Sequence, residues 1–303
     1  MRSFLPAALL SILVLPTISL AQKSGFDFLR TSVGARPSSM ADAFVAMPGD
    51  IHNLVYNPAG LATLNKRQAT LTYLNHLLDF QSGFLAYVQP IRGGGFGLAL
   101  HFFDYGQFEG KDESNQDTGD FGASGLSFSA TYAREVVEHL SIGASGKFIR
   151  FQIEELSSSA FAGDVGLIYS FPAQAVNVGL GVFNVGTTSA FIDTKEDLPT
   201  NLQLGASKQL AHLPLLVSGA LVKFIDESID FRLGGEFQLS EQLFLRFGYN
   251  SVGQDQKVNT SKDRLAGVSL GLGFAVSTFN FDYSFSSFGE VGSLNRITLV
   301  GQF

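Results

Sequence analysis

The chain has 303 residues, a net charge of -7 and neither cysteine nor tryptophan. Without cysteine there is no disulfide framework and no thiol or zinc-finger chemistry, and the acidic balance argues against a nucleic-acid partner. Charged residues make up 16% of the chain, with 29 phenylalanines and 33 glycines, whereas ordinary globular chains carry about 25% charge.

Residues 1–21, MRSFLPAALLSILVLPTISLA, read as a secretory signal. Arg2 supplies the positive start, Leu5 to Leu20 are mostly apolar, and Ser19-Leu20-Ala21 offers a small-x-small cleavage site before Gln22. An uncleaved anchor is the competing reading, but Pro6 and Pro16 interrupt the run. Beyond it, no stretch approaches the ~20 apolar residues of a spanning helix.

Residues 22–66 do not alternate. SSMADAF predicts a short helix capped by Ser38 or Ser39. In HNLVYNPAGLATL, Asn57-Pro58 is a turn dipeptide and Gly60 permits a tight bend. Such a segment, too long for a simple tail, is expected to fold into a lumen as a plug, with Tyr56, Asn57, Pro58 and Ala59 as its motif. Phe26, Phe28, Leu29, Phe44, Val45 and Leu54 either line an apolar pocket there or form the plug's own core.

From Gln68 to Phe303 short segments alternate with period two, as strands do. GFGLALHFF sets Phe96, Leu98, Leu100 and Phe102 against Gly97, Ala99 and His101; FNFDYSF sets Phe279, Phe281, Tyr283 and Phe285 against Asn280, Asp282 and Ser284. About fourteen strands are expected, near 68–77, 81–90, 94–104, 124–134, 139–151, 160–171, 175–185, 200–209, 214–223, 230–239, 242–250, 264–273, 277–286 and 295–303. Connections alternate between short turns (PIRGG, REVVEH, FPAQA, KQLAHLP, QLSEQ, AVST) and longer polar loops (105–122, 186–199, 251–264, with IEELSSS and FIDESID). Few charges, apolar–polar alternation and this loop asymmetry predict an all-β fold. It is a transmembrane antiparallel β-barrel spanning 67–303 in a bacterial outer membrane, with short periplasmic turns and outer-membrane lipid around it. The acidic loop side reads as solvated surface, with divalent-cation bridging to lipopolysaccharide as the sharper alternative.

The last segment, SLNRITLVGQF, places Ile297, Leu299, Gly301 and Phe303 opposite Arg296, Thr298 and Gln302. A strand running to the last residue is expected to pair with the first and close the wall. Its terminal aromatic, Phe303, resembles the signal read by the outer-membrane barrel-assembly machinery.

Chemistry is sparse. His52, His76, His101, His139 and His212 are scattered, no pair has metal-ligand spacing, and no cofactor or metal is implied. Neither GASG run, at 122–125 or 143–146, completes a nucleophile elbow. His101 near Asp104 is the faint catalytic candidate, set against a satisfied lumen histidine. Lys147, Arg150, Asp164, Arg232, Glu236, Arg246 and Asp282 are expected inside the lumen or at its rim, bracing wall or plug or lining a solute path.

GARPSSMADAFVAMPGDIHNLVYNPAGLATL resembles the N-terminal segment of FadL-like outer-membrane barrels, the PorV/PorQ family in particular. Gly34-Ala35-Arg36, Met40, Ala43-Phe44 and Tyr56-Asn57-Pro58-Ala59 match that pattern; Ala41 and Asp42 stand where the family often has glycine. LPTNLQLGASKQLAH and LFLRFGYN look like strand pairs of its PorQ members. The resemblance implies a non-enzymatic accessory barrel of type IX secretion. Its implied partners are components of that system and cargo with C-terminal sorting domains, engaged by the external loops. The alternative is a FadL-like transporter of hydrophobic small molecules, gated by the plug.

Overall fold

The computed structural model describes residues 25–75, 80–111, 114, 116–191, 194–225, 227–254 and 264–303. The signal segment 1–21, His76 and most of the loop 251–264 lie outside them.

Fourteen antiparallel strands close into a barrel. They are β1 (Gln68–Asn75), β2 (Gln81–Ile91), β3 (Gly94–Lys111), β4 (Asp117–Val137), β5 (Leu140–Ile153), β6 (Leu156–Phe171), β7 (Val176–Thr188), β10 (Asn201–Gln209), β11 (Leu215–Phe224), β12 (Ile229–Gln238), β13 (Leu243–Asn250), β14 (Val268–Val276), β15 (Phe279–Ser287) and β16 (Ser293–Gln302). Two short strands, β8 (Ala190–Phe191) and β9 (Thr194–Lys195), form a separate hairpin between β7 and β10. The last strand pairs with the first, Gln68 opposite Gln302 and Asn75 opposite Asn295. Closure pairs both edges of every wall strand within the membrane span, where lipid could satisfy neither.

Alternation assigns the two faces. Along β5 every second residue is buried, Ser141, Gly143, Ser145, Lys147 and Ile149 pointing inward. Phe96, Leu98, Phe102, Phe128, Phe281 and Tyr283 point outward, as an apolar belt requires. Small inward residues leave room, and buried residues of the segment 25–64 pack against the inner wall there. A 3-10 turn (Gly25–Arg30), α1 (Ala35–Ser39), α2 (Asn53–Tyr56) and a second 3-10 turn (Pro58–Thr63) pack against the inner wall. Met40, Phe44, Ile51, Leu54 and Leu61 are buried with inward Phe84, Val88 and Val300. Each such side chain taken from water contributes about 1.5–3 kcal/mol.

Several expectations need correction. The helix expected to start at Ser38 or Ser39 instead ends there. Ala41 and Asp42 follow with φ of 53° and 58°, a left-handed conformation that no helix continues. The expected loop 105–122 is mostly a tall extension of β3 and β4, bent where the register shifts between Asp104 and Gln107. Past the membrane the pairs no longer need an apolar outer face, so alternation fades while the ladder continues. IEELSSS likewise shrinks to a two-residue turn between β5 and β6, and β14 starts at Val268 rather than 264.

Candidate functional site

The lumen is where the segment meets the wall. Asn57 ends α2 with an extended backbone, because Pro58 forbids the helix to continue. Its buried side chain accepts from the Ala59 amide (3.1 Å) and donates to the carbonyls of Val45 (2.6 Å) and Leu167 (3.1 Å). One residue thus caps the following turn, ties two parts of the segment together and anchors both to β6. The wall makes room with glycine. A Cβ on Gly166 would lie 2.0 Å from the Asn57 amide oxygen, and one on Gly143 would lie 2.4 Å from the Pro58 carbonyl carbon. Gly143 and Gly166 are register partners on adjacent strands. The Tyr56 hydroxyl donates to Asp42 (2.6 Å) and accepts from the Val33 amide (3.2 Å). Burial and then Asp42 push that hydroxyl well above its ordinary pKa, so it remains a donor.

The inner face of β16 holds the start of the segment. Thr298 accepts from the Ala35 amide (2.8 Å), and the fully buried Arg296 donates to Ser38 (2.6 Å) and the Ser32 carbonyl (3.2 Å).

A chain of alternating charge then runs across the lumen. Asp282 on β15 accepts from Arg246 on β13 (2.6 Å), and Arg246 donates to Glu236 on β12 (2.5 Å). Glu236 takes a bidentate pair from Arg36 of the segment (2.7 and 2.8 Å). Arg36 reaches Asp50 (2.7 Å), and Asp50 meets the His52 ring (2.7 Å). A 190 Å³ cavity at the short-turn end is lined by this chain with Gln68, Phe244 and Phe274. Burial alone would lower the Arg36 pKa, but Glu236 and Asp50 raise it further, so the guanidinium stays charged. Removing one member of such a buried network costs about 3–5 kcal/mol, because its partner is left uncompensated.

Among the expected inner charges, Glu236, Arg246 and Asp282 belong to this chain. Lys147 and Asp164 pair elsewhere in the lumen at 2.7 Å, beside Asn184. Arg232 lies 3.9 Å from Asp230. Arg150 is outward, donating to Ser157 near the loop-side rim. His101 is buried inside against Phe28, whereas Asp104 faces outward and accepts from the Gly106 amide, so they share no site. Phe26 and Phe28 pack with Phe103, Ile149 and Phe151, Phe44 and Leu54 join a second buried cluster, and Val45 a third with Phe183 and Ala220. Arg296 carries much of the geometry, yet no local pattern marks it as a partner for Ser38, 258 positions away; Asp50 instead holds its near neighbours Arg36 and His52. Phe303 is exposed, its ring edge-on to Phe279 at 6.3 Å.

The family model of the type IX secretion system protein PorV matches residues 21–212, more than half of the chain. This chain belongs to the PorV family. It is an outer-membrane barrel of type IX secretion, and FadL-like barrels share its architecture. The toluene transporter TbuX of Ralstonia pickettii has a TM-score of 0.60 at 15% identity, covering 90% of this chain and 98% of that one. The toluene transporter TodX of Pseudomonas putida gives 0.60 at 15%, covering 88% and 96%. A FadL homologue of Pseudomonas aeruginosa gives 0.59 at 12%, covering 89% and 98%. At such identities the likeness is one of fold. No curated protein sequence matches the chain. In this PorV-family barrel the segment carrying Gly34-Ala35-Arg36 and Asn57-Pro58-Ala59 is tied to β6, β12 and β16 by the bonds above.

Proposed function

We propose that this PorV-family barrel serves type IX secretion as a non-catalytic, plugged wall whose external face engages protein partners. In this reading residues 1–21 are a leader, 22–66 the plug and 67–303 the barrel. Tyr56, Asn57, Pro58 and Ala59 form the plug's anchoring motif. The burial of residues 25–64 against the inner wall carries the reading. The spaces beside the segment measure 190, 60 and 40 Å³, and charged side chains line all three. A route for an apolar solute needs a larger apolar pocket, so transport rests on likeness of fold alone.

Partners are then met outside. The tall β3–β4 hairpin rises from a rigid wall, and loops on a rigid scaffold are where recognition concentrates. At its bend lies a 710 Å³ hollow lined by Phe102, Phe103, Gln107, Leu126, Gln152 and Glu154. The partners are components of the secretion system and cargo with C-terminal sorting domains. Phe303 serves the barrel-assembly machinery, and lipid surrounds the belt.

The test is an affinity tag at the tip of the β3–β4 hairpin, purification from outer membranes in mild detergent, and mass spectrometry of what accompanies the barrel. Secretion components or sorting-domain cargo, absent from an untagged control, are expected. A barrel that arrives alone with a bound apolar molecule overturns the reading in favour of transport.

A further inference from the structure

The outward wall carries an apolar groove of 360 Å³ across β4, β5, β6 and β7, lined by Tyr132, Ile142, Ala144, Val165 and Val182, with Arg134 among its lining residues. Its lining includes the small residues Gly143, Ala144, Gly166 and Gly181, and a row of small outward residues borders it on the loop side. Ala130, Gly146 and Gly163 are register partners on three adjacent strands, and a Cβ on Gly146 would meet nothing within 4 Å. One pair further toward the loop side, Phe148 and Phe161 meet at 5.3 Å. The groove therefore ends at a cation on the short-turn side, with the aromatic pair beyond its lining toward the loop side.

Arg134 stands three residues before the end of β4, on the outward face. Among the described residues its guanidinium has no ion pair. Its neighbour Glu135 instead accepts from the His139 amide at 2.7 Å. Register partners Gly94 and Ile142 flank it with no countercharge. On a lipid-facing wall an arginine costs about 2–4 kcal/mol at the midplane and about 0–1 near the interface. It is stabilised there when its planar fork meets phosphate oxygens.

We propose that this groove seats one phospholipid of the periplasmic leaflet, an acyl chain lying over Ala144 and the phosphodiester held by Arg134. The leaflet follows from depth: Arg134 is at the short-turn, periplasmic end, away from lipopolysaccharide. The occupant follows from complementarity, an apolar channel ending in an uncompensated cation for a chain ending in an anion.

Native mass spectrometry of the full barrel, released from detergent after incubation with palmitoyl-oleoyl phosphatidylglycerol, tests this. The wild type is expected to retain one lipid. Ala144→Phe, which fills the groove, and Arg134→Gln, which removes the cation, are each expected to weaken retention about tenfold. Leu272→Phe, an outward position on β14, is expected to change nothing. Heat-dependent gel migration identifies the folded barrels, and Arg134→Gln stands as the test if Ala144→Phe does not fold. Unchanged retention in the groove variants overturns the proposal, as does equal loss in Leu272→Phe, which marks ordinary annular lipid. A photo-crosslinker at position 144 that captures a protein in place of lipid overturns it too.

Discussion

Asp50 sits between Arg36 and His52, and that position sets an acid limit on how firmly the N-terminal segment is held. Burial pushes its carboxyl pKa up, but His52 and Arg36 pull it down by more, well below the ordinary carboxylate range. A released or unfolded Asp50 takes up a proton near the ordinary value of about 3.9. Between that value and the depressed one, the held form binds fewer protons than the released form. The stabilisation is therefore complete above the ordinary value and drains away as pH falls below it. Protease sensitivity of the segment is expected to rise as pH drops through this range, and Asp50→Asn to flatten that limb. At the same scale, Ala41 and Asp42 hold left-handed backbone where glycine would fit freely. Such conformations cost about 1–2 kcal/mol per residue. Asp42 is held there by Tyr56 and Ser32, a compensation that no reading of SSMADAF shows.

At the scale of elements, the Asn57-Pro58-Ala59 turn and the glycine row of β5 and β6 form one fitted contact. Gly166→Val puts a side chain where the Asn57 amide oxygen now lies, and overpacking of this kind costs about 1–3 kcal/mol. The segment is expected to shift off the wall, and planar-bilayer conductance to rise above that of the wild type. Gly146→Ala, on the opposite face of β5 with open space around it, is expected to leave conductance unchanged. Equal conductance in all three would sink this account of the contact. The motif was legible from its turn chemistry, but its receptor was not. Gly143 and Gly166 read as ordinary small positions in a curved wall, because a glycine's reason is whatever approaches it. Strand spans were legible within the membrane, where apolar and polar residues must alternate, and not above it, where the β3–β4 hairpin keeps its ladder without that constraint.

For the whole molecule, closure depends on β16, which binds β1 and β15 through its backbone and the segment through Arg296 and Thr298. Phe303 lies past this strand, its amide donating to the Arg67 carbonyl (2.9 Å) and its ring against Phe279. Phe303→Ala is expected to lower the amount of assembled barrel in the outer membrane of cells. The purified variant, refolded in detergent, is expected to show unchanged heat-dependent migration. A drop in both assays would assign Phe303 to packing instead of assembly.

By itself the sequence determined the approximate number of wall strands, the alternation of faces along them, which connections are short and the closing role of the last strand, though it misplaced Arg150. Each of these follows from short-range periodicity and turn length, which neighbouring residues set among themselves. Tertiary structure alone decided which luminal charges meet. Arg36 and Glu236 stand 200 positions apart, and Arg296 and Ser38 stand 258 apart. Their pairing is written in no local pattern, because it exists only once the wall has closed and a buried charge must find an opposite charge or a hydrogen-bond acceptor.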